Sequence, residues 1–521
     1  MNEALARERA DSIQAPVGRF DIWLDHRMLL GLVILISAVV YAQYRPLSQP
    51  VRLDRANWDY FAQVVSRGGV PYRDVVNIKS PLSAYIGAAA IVATRPFGLR
   101  DVYAIRLVCF LMLLMTVGLT FLVGYEFFNS RRIGLLAALI LLGFDLLGQG
   151  NTADIQPKIP MVIFGLLTLW AVRRDLPFLA GIFGMLSALA WQPGLLFAGA
   201  AGLAFSRYLT SWRDLKVIKL VSGAVIPLAM LVVYLWMAGA LRDFYLWTIH
   251  FNYAVYAKEE LKTANEFLGA LYRVLWGQFQ EERIYFLLAV AGLMLIAFRQ
   301  MKVARRGGAR AALDAASHHS IIIAPAVYFA FCAINVQRGA DFIPFLPFIS
   351  ILTAVVVVAS IDKAGELLER MRPGAGKKLF TSAGFVAVCT LVFLLSVADT
   401  FFYGGDRYTF QQQEADVREA MAHLRPGDKV FVHGTTELLV ISGLTNASRH
   451  IFLDRGKDIY LDQVEPGGFN GWFERLKSER PRIVALSRLN RVRHKDDFER
   501  WVNEDYRLIE GRTFSYYVRK E

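Results

Sequence analysis

The chain has 521 residues, of which 55% are hydrophobic and 20% charged, with a net charge of +13 at neutral pH and a mean hydropathy of +0.36. That balance is too apolar for a soluble domain and excludes disordered, fibrous and disulfide-built chains. The positive charge does not indicate nucleic acid, because much of the Lys and Arg lies in short loops between apolar segments, as in a multi-spanning protein that orients itself by charge.

The first 27 residues are polar and lack the apolar core of a signal peptide, so the first span is itself expected to serve as the targeting signal. Apolar runs suited to crossing about 30 Å of hydrocarbon follow near 28–44, 104–127, 133–149, 159–172, 177–191, 194–206, 217–238, 284–298, 320–336, 342–360 and 380–398. A further run, 81–97, decides the topology of everything after it. If it does not span, Arg131/Arg132, Arg173/Arg174 and the basic stretches 207–219, 299–310 and 363–378 all share the side of the amino terminus. If it spans, they all move outside, against the positive-inside rule. The segment 81–97 is therefore read as a helix lying at the outer surface. The segment 304–319 is read as a flexible cytoplasmic loop. Cys109, Cys332 and Cys389 all lie within apolar runs, where thiols act as small hydrophobes, and no Cys/His spacing argues for zinc.

The expected fold is thus a polytopic α-helical membrane protein of about eleven transmembrane helices with a small C-terminal soluble α/β domain. Residues 1–27 form the cytoplasmic amino terminus, 28–399 the transmembrane domain with a large external loop at 45–103, and 400–521 the external domain. In that tail PGDKVFVHG, HIFLD and PRIVALS read as strands, with helices near 411–424, 470–480 and 494–504. Gly434 follows a strand, but no phosphate-loop glycine pattern accompanies it.

The loop 45–103 is far longer than a connection requires, and such loops commonly carry function. Asp54 to Val65 reads as an amphipathic helix, ended by Gly68-Gly69 and followed by extended chain from Pro71. Asp54, Tyr60, Ala62, Gln63, Gly68-Gly69, Pro71-Tyr72-Arg73-Asp74 and Lys79-Ser80-Pro81-Leu82 together resemble the first-loop pattern of the GT-C polyprenyl-phosphate-sugar-dependent glycosyltransferases. That family includes bacterial relatives of the protein mannosyltransferases and the lipid A aminoarabinose transferase. Asn151-Thr152-Ala153-Asp154 resembles its second external loop, and Arg338-Gly339-Ala340-Asp341-Phe342 with Pro344 and Pro347 its late external segment. Two departures stand out: Arg55 occupies a position where many members have Glu, and Ser80 replaces the first proline of Lys-Pro-Pro.

The resemblance implies transfer of a sugar from a polyprenyl-phosphate carrier to a hydroxyl or amine acceptor, such as a cell-envelope glycan, lipid or protein, at the outer face of an inner (plasma) membrane. A carboxylate would serve as general base, with Asp54 and Asp59 competing and Asp154 assisting. Five helical residues turn about 500°, so Asp54 and Asp59 face apart. Lys79, Arg73 and Arg338 are the implied phosphate ligands. Asp74, Tyr60 and Tyr72, with His250, Asn252 and Tyr256 from the polar-aromatic 239–283 loop, are candidates for binding sugar or acceptor. Asp145 is an acid within an apolar run, and Asp154 is spaced to pair with Lys158. A divalent cation, Mg or Mn, is compatible with Asp54, Asp59 and Asp74, although Arg55 leaves one carboxylate fewer. Rival readings are a transporter or flippase and a non-catalytic binder of lipid-linked sugars; the internal repeat expected of a transporter is not found.

Overall fold

The computed structural model describes residues 25–206, 215–260, 263–316, 320–334, 339–374, 376–401 and 405–521. Each apolar run found in the sequence is helical. In chain order these helices are α1 (His26–Gln43), α4 (Asp101–Phe128), α5 (Arg131–Leu142), α6 (Lys158–Arg173), α7 (Pro177–Ala190), α8 (Leu195–Phe205), α9 (Lys216–Met237), α10 (Arg283–Ala316), α11 (Ser320–Ile334), α12 (Leu346–Met371) and α13 (Lys377–Phe401). Two helices of the first loop, α2 (Leu53–Ser66) and α3 (Leu82–Thr94), lie between α1 and α4. Among the described residues five helices, α1, α4 and α9 among them, are long and apolar enough to cross a membrane. Large apolar side chains such as Leu35, Leu111, Ile218, Met230 and Val386 stand exposed on them. A polytopic membrane fold accounts for both facts, since water does not tolerate so wide an apolar surface.

Local chemistry sets the helix ends. The Asp25 carboxylate accepts the His26 amide at 2.7 Å and opens α1. Asn129, in the left-handed region at φ 46°, closes α4, and the Ser130 hydroxyl caps α5. The expected loop over 304–319 is corrected here: α10 continues to Ala316, because the alanine-rich ARAALDAA carries strong helix formers that outweigh the preceding glycine pair, while 317–319 lie outside the described residues.

The first loop folds as its glycines require. Helix α2 ends at Ser66 and Gly68 takes φ +88°. Gly87 lets α3 press against α2 and the second loop, since a methyl group there would come within 2.3 Å of the Ile155 side chain and 2.8 Å of the Ala62 methyl.

Residues 405–521 form a four-stranded sheet with helices. Strands β1 (Val430–His433), β2 (Ile483–Leu486), β3 (Tyr506–Glu510) and β4 (Ser515–Arg519) lie in the order β1-β2-β4-β3. β1 and β2 are parallel, pairing Val430 with Ile483, and helices α15 (Glu437–Ser442), α16 (Lys457–Val464) and α17 (Gly468–Ser478) lie on the crossover between them. Helix α14 (Phe410–Met421), opened by a Thr409/Gln412 capping box, precedes the sheet, and α18 (Lys495–Asp505) leads into the β3–β4 hairpin. The strand expected over His450–Asp454 is absent. That segment bonds instead to the end of β1, through the Gly434 amide on the Ile451 carbonyl (3.0 Å) and the Leu453 amide on His433 Nε2 (2.9 Å).

This domain is not a loose appendage. One apolar core joins Tyr72 and Val76 of the first loop, Trp247 and Phe251 of the 241–260 segment, and Phe431, Tyr460 and Phe498 of the domain. Burial of aromatic side chains across such a junction outweighs what surface polar contacts contribute.

Candidate active site

Three segments meet at Trp191, the residue that ends α7. Lys79, at the end of the first-loop turn, places its ammonium 5.3 Å from the Trp191 ring centroid and 5.9 Å from that of Trp58 on α2. Lys158, the first residue of α6, places its own 4.9 Å from the Trp191 centroid and pairs with Asp341 at 2.7 Å. Aromatic faces stabilise these cations where few water molecules reach. Burial, aided by repulsion from Lys158, pushes the Lys79 ammonium down to about 7. Two lysines held at one indole, with a single carboxylate paired to one of them, form a positive recess ready for an anion.

Pro81 and Leu82, directly after Lys79 and Ser80, begin the lining of an apolar groove of about 460 Å³. Its walls come from α3 (Tyr85), α7 (Ile182, Leu186, Leu189) and α9 (Ile226 to Tyr234), with Pro227 inside the continuous helix α9. The positive recess and the apolar groove are thus two residues apart along the chain.

Asp54 and Asp59 separate as helical geometry requires. Asp54 lies in the first turn of α2 with its side chain 62% exposed, and it forms an ion pair with Arg488 of the C-terminal domain. It is not the helix cap; Arg52 holds that position. Asp59 is 1% exposed and accepts the Ile155 amide at 3.0 Å. Its charge acts on the buried Asp154 carboxyl, neither oxygen of which has a hydrogen-bond partner among the described residues. Burial and the neighbouring Asp154 hold Asp59 well above the usual carboxylate range, and burial raises Asp154 as well against the pull of Arg55 and Arg106. Two buried acids that repel each other resist carrying two charges at once. Arg106, itself buried, donates to the Leu47 and Gln49 carbonyls and stacks 4.2 Å from the Phe410 ring centroid. Lys158 pairs with Asp341 instead of Asp154, which replaces the pairing that helical spacing suggested.

The remaining candidates take positions around these groups. Tyr60 accepts the Asn446 amide at 2.9 Å, which ties α2 to the C-terminal domain. Tyr72, fully buried at φ +69°, donates to the Lys79 carbonyl at 2.8 Å and so fixes the lysine's backbone. Arg73 grips its neighbour Asp74 through two bonds of 2.8 and 2.9 Å and donates to the Ala238 carbonyl at 3.1 Å. Asp74 also accepts the Val70 amide, closing the turn. In the 241–260 segment, His250 Nδ1 lies 2.7 Å from the Tyr460 hydroxyl, Asn252 donates to the Ile78 carbonyl at 2.7 Å, and Tyr256 accepts from Arg455 at 2.7 Å. Asp145 is exposed and accepts the Tyr44 hydroxyl at 2.7 Å. Arg338 lies outside the described residues, while its neighbour Asp341 belongs to the lysine cluster.

Sequence reasoning did not single out Trp58, Trp191, Lys158 in this role, Arg455 or Arg488, and it named Asp341 only within the late external pattern, without a role. Trp191 did carry a signal, an aromatic at the junction of a span and an external loop, but interfacial belts show the same one. The three carboxylates considered for a hard cation are not brought together, since Asp54 meets Arg488, Asp59 meets Asp154 and Asp74 meets Arg73. Among the described residues no three His, Cys, Asp or Glu side chains converge on a metal position. Arg55 and Arg106 already bring positive charge to the buried acid pair.

A positive recess beside an apolar groove, on a helical membrane fold, has the shape and charge that suit an amphiphilic anion. Two solved structures share the architecture. ArnT from Cupriavidus metallidurans bound to undecaprenyl phosphate superposes with a TM-score of 0.58 over 94% of this chain and 97% of that one, at 13% identity. The archaeal oligosaccharyltransferase AglB from Archaeoglobus fulgidus, in complex with an inhibitory peptide and a dolichol-phosphate, gives 0.53 over 94% of this chain and 74% of that one, at 12% identity. The chain therefore has the GT-C fold of these proteins, in agreement with the first-loop resemblance. No protein-family model and no curated protein matches it.

Proposed function

We propose that the protein is a membrane glycosyltransferase that moves a sugar from a polyprenyl-phosphate carrier to a hydroxyl or amine acceptor of the cell envelope, at the outer face of the inner membrane. The observation that carries this reading is the Lys79–Lys158 pair at Trp191, two residues along the chain from an apolar groove. A phosphate with a polyprenyl tail matches both halves, the tail filling the groove and the lysines stabilising the charge that builds on the departing phosphate. The fold shared with ArnT bound to undecaprenyl phosphate and AglB bound to a dolichol-phosphate supports the same donor class. The eleven apolar runs support eleven spans, and the distribution of Lys and Arg supports an amino terminus inside and a C-terminal domain outside, with the recess at the external face.

In the reaction, the acceptor O–H or N–H proton passes to the Asp54 carboxylate as the acceptor atom bonds to the anomeric carbon. The bond from that carbon to the phosphate oxygen breaks, and its electron pair leaves with the polyprenyl phosphate. Lys79 and Lys158 neutralise the phosphate. Asp54 is preferred over Asp59 as the base because it is solvent-accessible, whereas Asp59 is enclosed with Asp154.

The test is sugar release from labelled polyprenyl-phosphate sugars by purified wild type and Asp54→Asn, with and without a chelator. Consumption of donor by the wild type alone, with both proteins binding it, is the expected result. Donor binding without consumption, over all sugars and acceptors offered, replaces this reading with a flippase or a non-catalytic binder.

A further inference from the structure

Arg488 belongs to the C-terminal domain, in the turn after β2, yet its guanidinium reaches the Asp54 carboxylate at the start of α2. Its backbone sits at φ +58°, a left-handed conformation that a residue with a side chain adopts at an energetic cost. The guanidinium packs 5.8 Å from the Phe452 ring centroid, which directs it toward α2. A largely exposed ion pair contributes little to stability, so stability alone does not account for a strained residue held there.

The electrostatics supply another account. Asp54 stands one turn before Trp58 on the same face of α2, and the Trp58 ring lies 5.9 Å from the Lys79 ammonium, so the carboxylate held by Arg488 of the C-terminal domain lies on the side of α2 that faces the recess. Buried Glu437 of α15 also feels the Arg488 charge, which opposes the upward push of burial on its carboxyl. Without Arg488, Asp54 is free to turn to the lysines and occupy the place of the donor phosphate.

Resting on the donor class proposed above, we infer that Arg488 is a positioning residue that holds Asp54 away from the lysine recess, so that the C-terminal domain keeps the phosphate site open and the base poised. With Asp54 held, the carboxylate takes the acceptor proton while the carbon–oxygen bond to phosphate breaks; with Asp54 released, base and phosphate site are lost together.

The test is a binding cycle in full-length protein, read as quenching of tryptophan fluorescence by a polyprenyl-phosphate sugar. Arg488→Gln is expected to weaken binding about tenfold, within the usual range of a coupling between neighbouring charges. Arg488→Lys, which keeps the charge, restores it. The decisive variant is Asp54→Asn/Arg488→Gln, where the competitor has lost its charge and affinity returns to the wild-type value. Weak binding that persists in the double variant, or Arg488→Gln binding like wild type, overturns the inference and leaves the transferase reading intact. Wild type that binds no polyprenyl-phosphate sugar overturns both.

Discussion

Lys79 and Lys158 bring their ammonium groups to the same indole, 5.3 and 4.9 Å from the Trp191 centroid, although one belongs to the first loop and the other opens α6. Among the described residues, of the two only Lys158 has a carboxylate within ion-pair distance, Asp341. Burial, aided by repulsion from Lys158 and opposed by the Asp341 charge, holds Lys79 down to about 7.

The pH dependence of donor binding follows. Below pH 7 Lys79 carries its proton and attracts phosphate; above it, the free protein increasingly presents a neutral amine. A polyprenyl-phosphate sugar is a phosphodiester and keeps one charge over this range. Its affinity is therefore expected to fall as pH rises from 6 to 9, with proton uptake on binding at neutral pH. Lys79→Met should weaken binding at pH 6 by about tenfold, equivalent to ~1.4 kcal/mol, and flatten the profile. Fluorescence titration of Trp58 and Trp191 across that range provides the measurement, and an equally steep profile in Lys79→Met removes the assignment.

The Asp59–Asp154 pair makes a prediction of opposite chemical sense. Burial and mutual repulsion raise the folded-state value of Asp59 above its unfolded 3.8. The folded state then binds more protons than the unfolded state above about pH 4, so stability falls with rising pH through this window. Asp59→Asn keeps an oxygen for the Ile155 amide and provides a donor to Asp154. It is expected to raise thermal stability at pH 8 by roughly 1 to 2 kcal/mol, with a smaller gain at pH 5. Retained transfer in this variant, beside lost transfer in Asp54→Asn, would also separate the two candidate bases. Destabilisation of Asp59→Asn at pH 8 would show that the carboxylate itself is needed there.

How much of this was legible in the sequence depends on what a local pattern encodes. The apolar runs, the end of α2 before Gly68 and the opposite facing of Asp54 and Asp59 follow from hydropathy, glycine and helical geometry, all of them local. His450–Asp454 reads as a strand because its residues suit one, but it meets only the end of β1, where the Ile451 carbonyl accepts the Gly434 amide and the Leu453 amide donates to His433 Nε2. The β3–β4 hairpin escaped notice because RLIE and SYYVR carry charges that mask the alternation. Long-range juxtapositions were the real loss. Nothing near residue 488 says that its guanidinium meets residue 54, and nothing near 158 says that its partner is 341 rather than 154.

The joint between loop and C-terminal domain is testable at one residue. Gln413 of α14, fully buried, donates to the Val51 carbonyl at 2.9 Å and accepts the Val51 amide at 2.7 Å, in the manner of a strand partner. Gln413→Ala leaves both backbone groups buried and unpaired, at a cost of roughly 2 to 4 kcal/mol. Thermal unfolding in detergent reads the loss, and hydrogen exchange should show the Val51 amide opening ahead of the membrane helices. Unchanged exchange at Val51 would mean that the joint rests on its apolar core alone.

The groove between α3, α7 and α9 governs dependence on tail length. Each methylene buried there contributes about 0.8 kcal/mol, so affinity for a series of prenyl phosphates should rise with chain length and level off once the groove of about 460 Å³ is full. Leu186 is half-buried in its wall, and Leu186→Trp places an indole in the space the tail would take. The variant is expected to lose affinity for long prenyl phosphates while binding the shortest member of the series as the wild type does, because the lysines at Trp191 are untouched. Lys79→Met should behave in the opposite way, losing affinity at every length by the same factor. A Leu186→Trp protein that still discriminates long tails from short ones would move the tail out of this groove and leave the lysine recess to bind its phosphate from another direction.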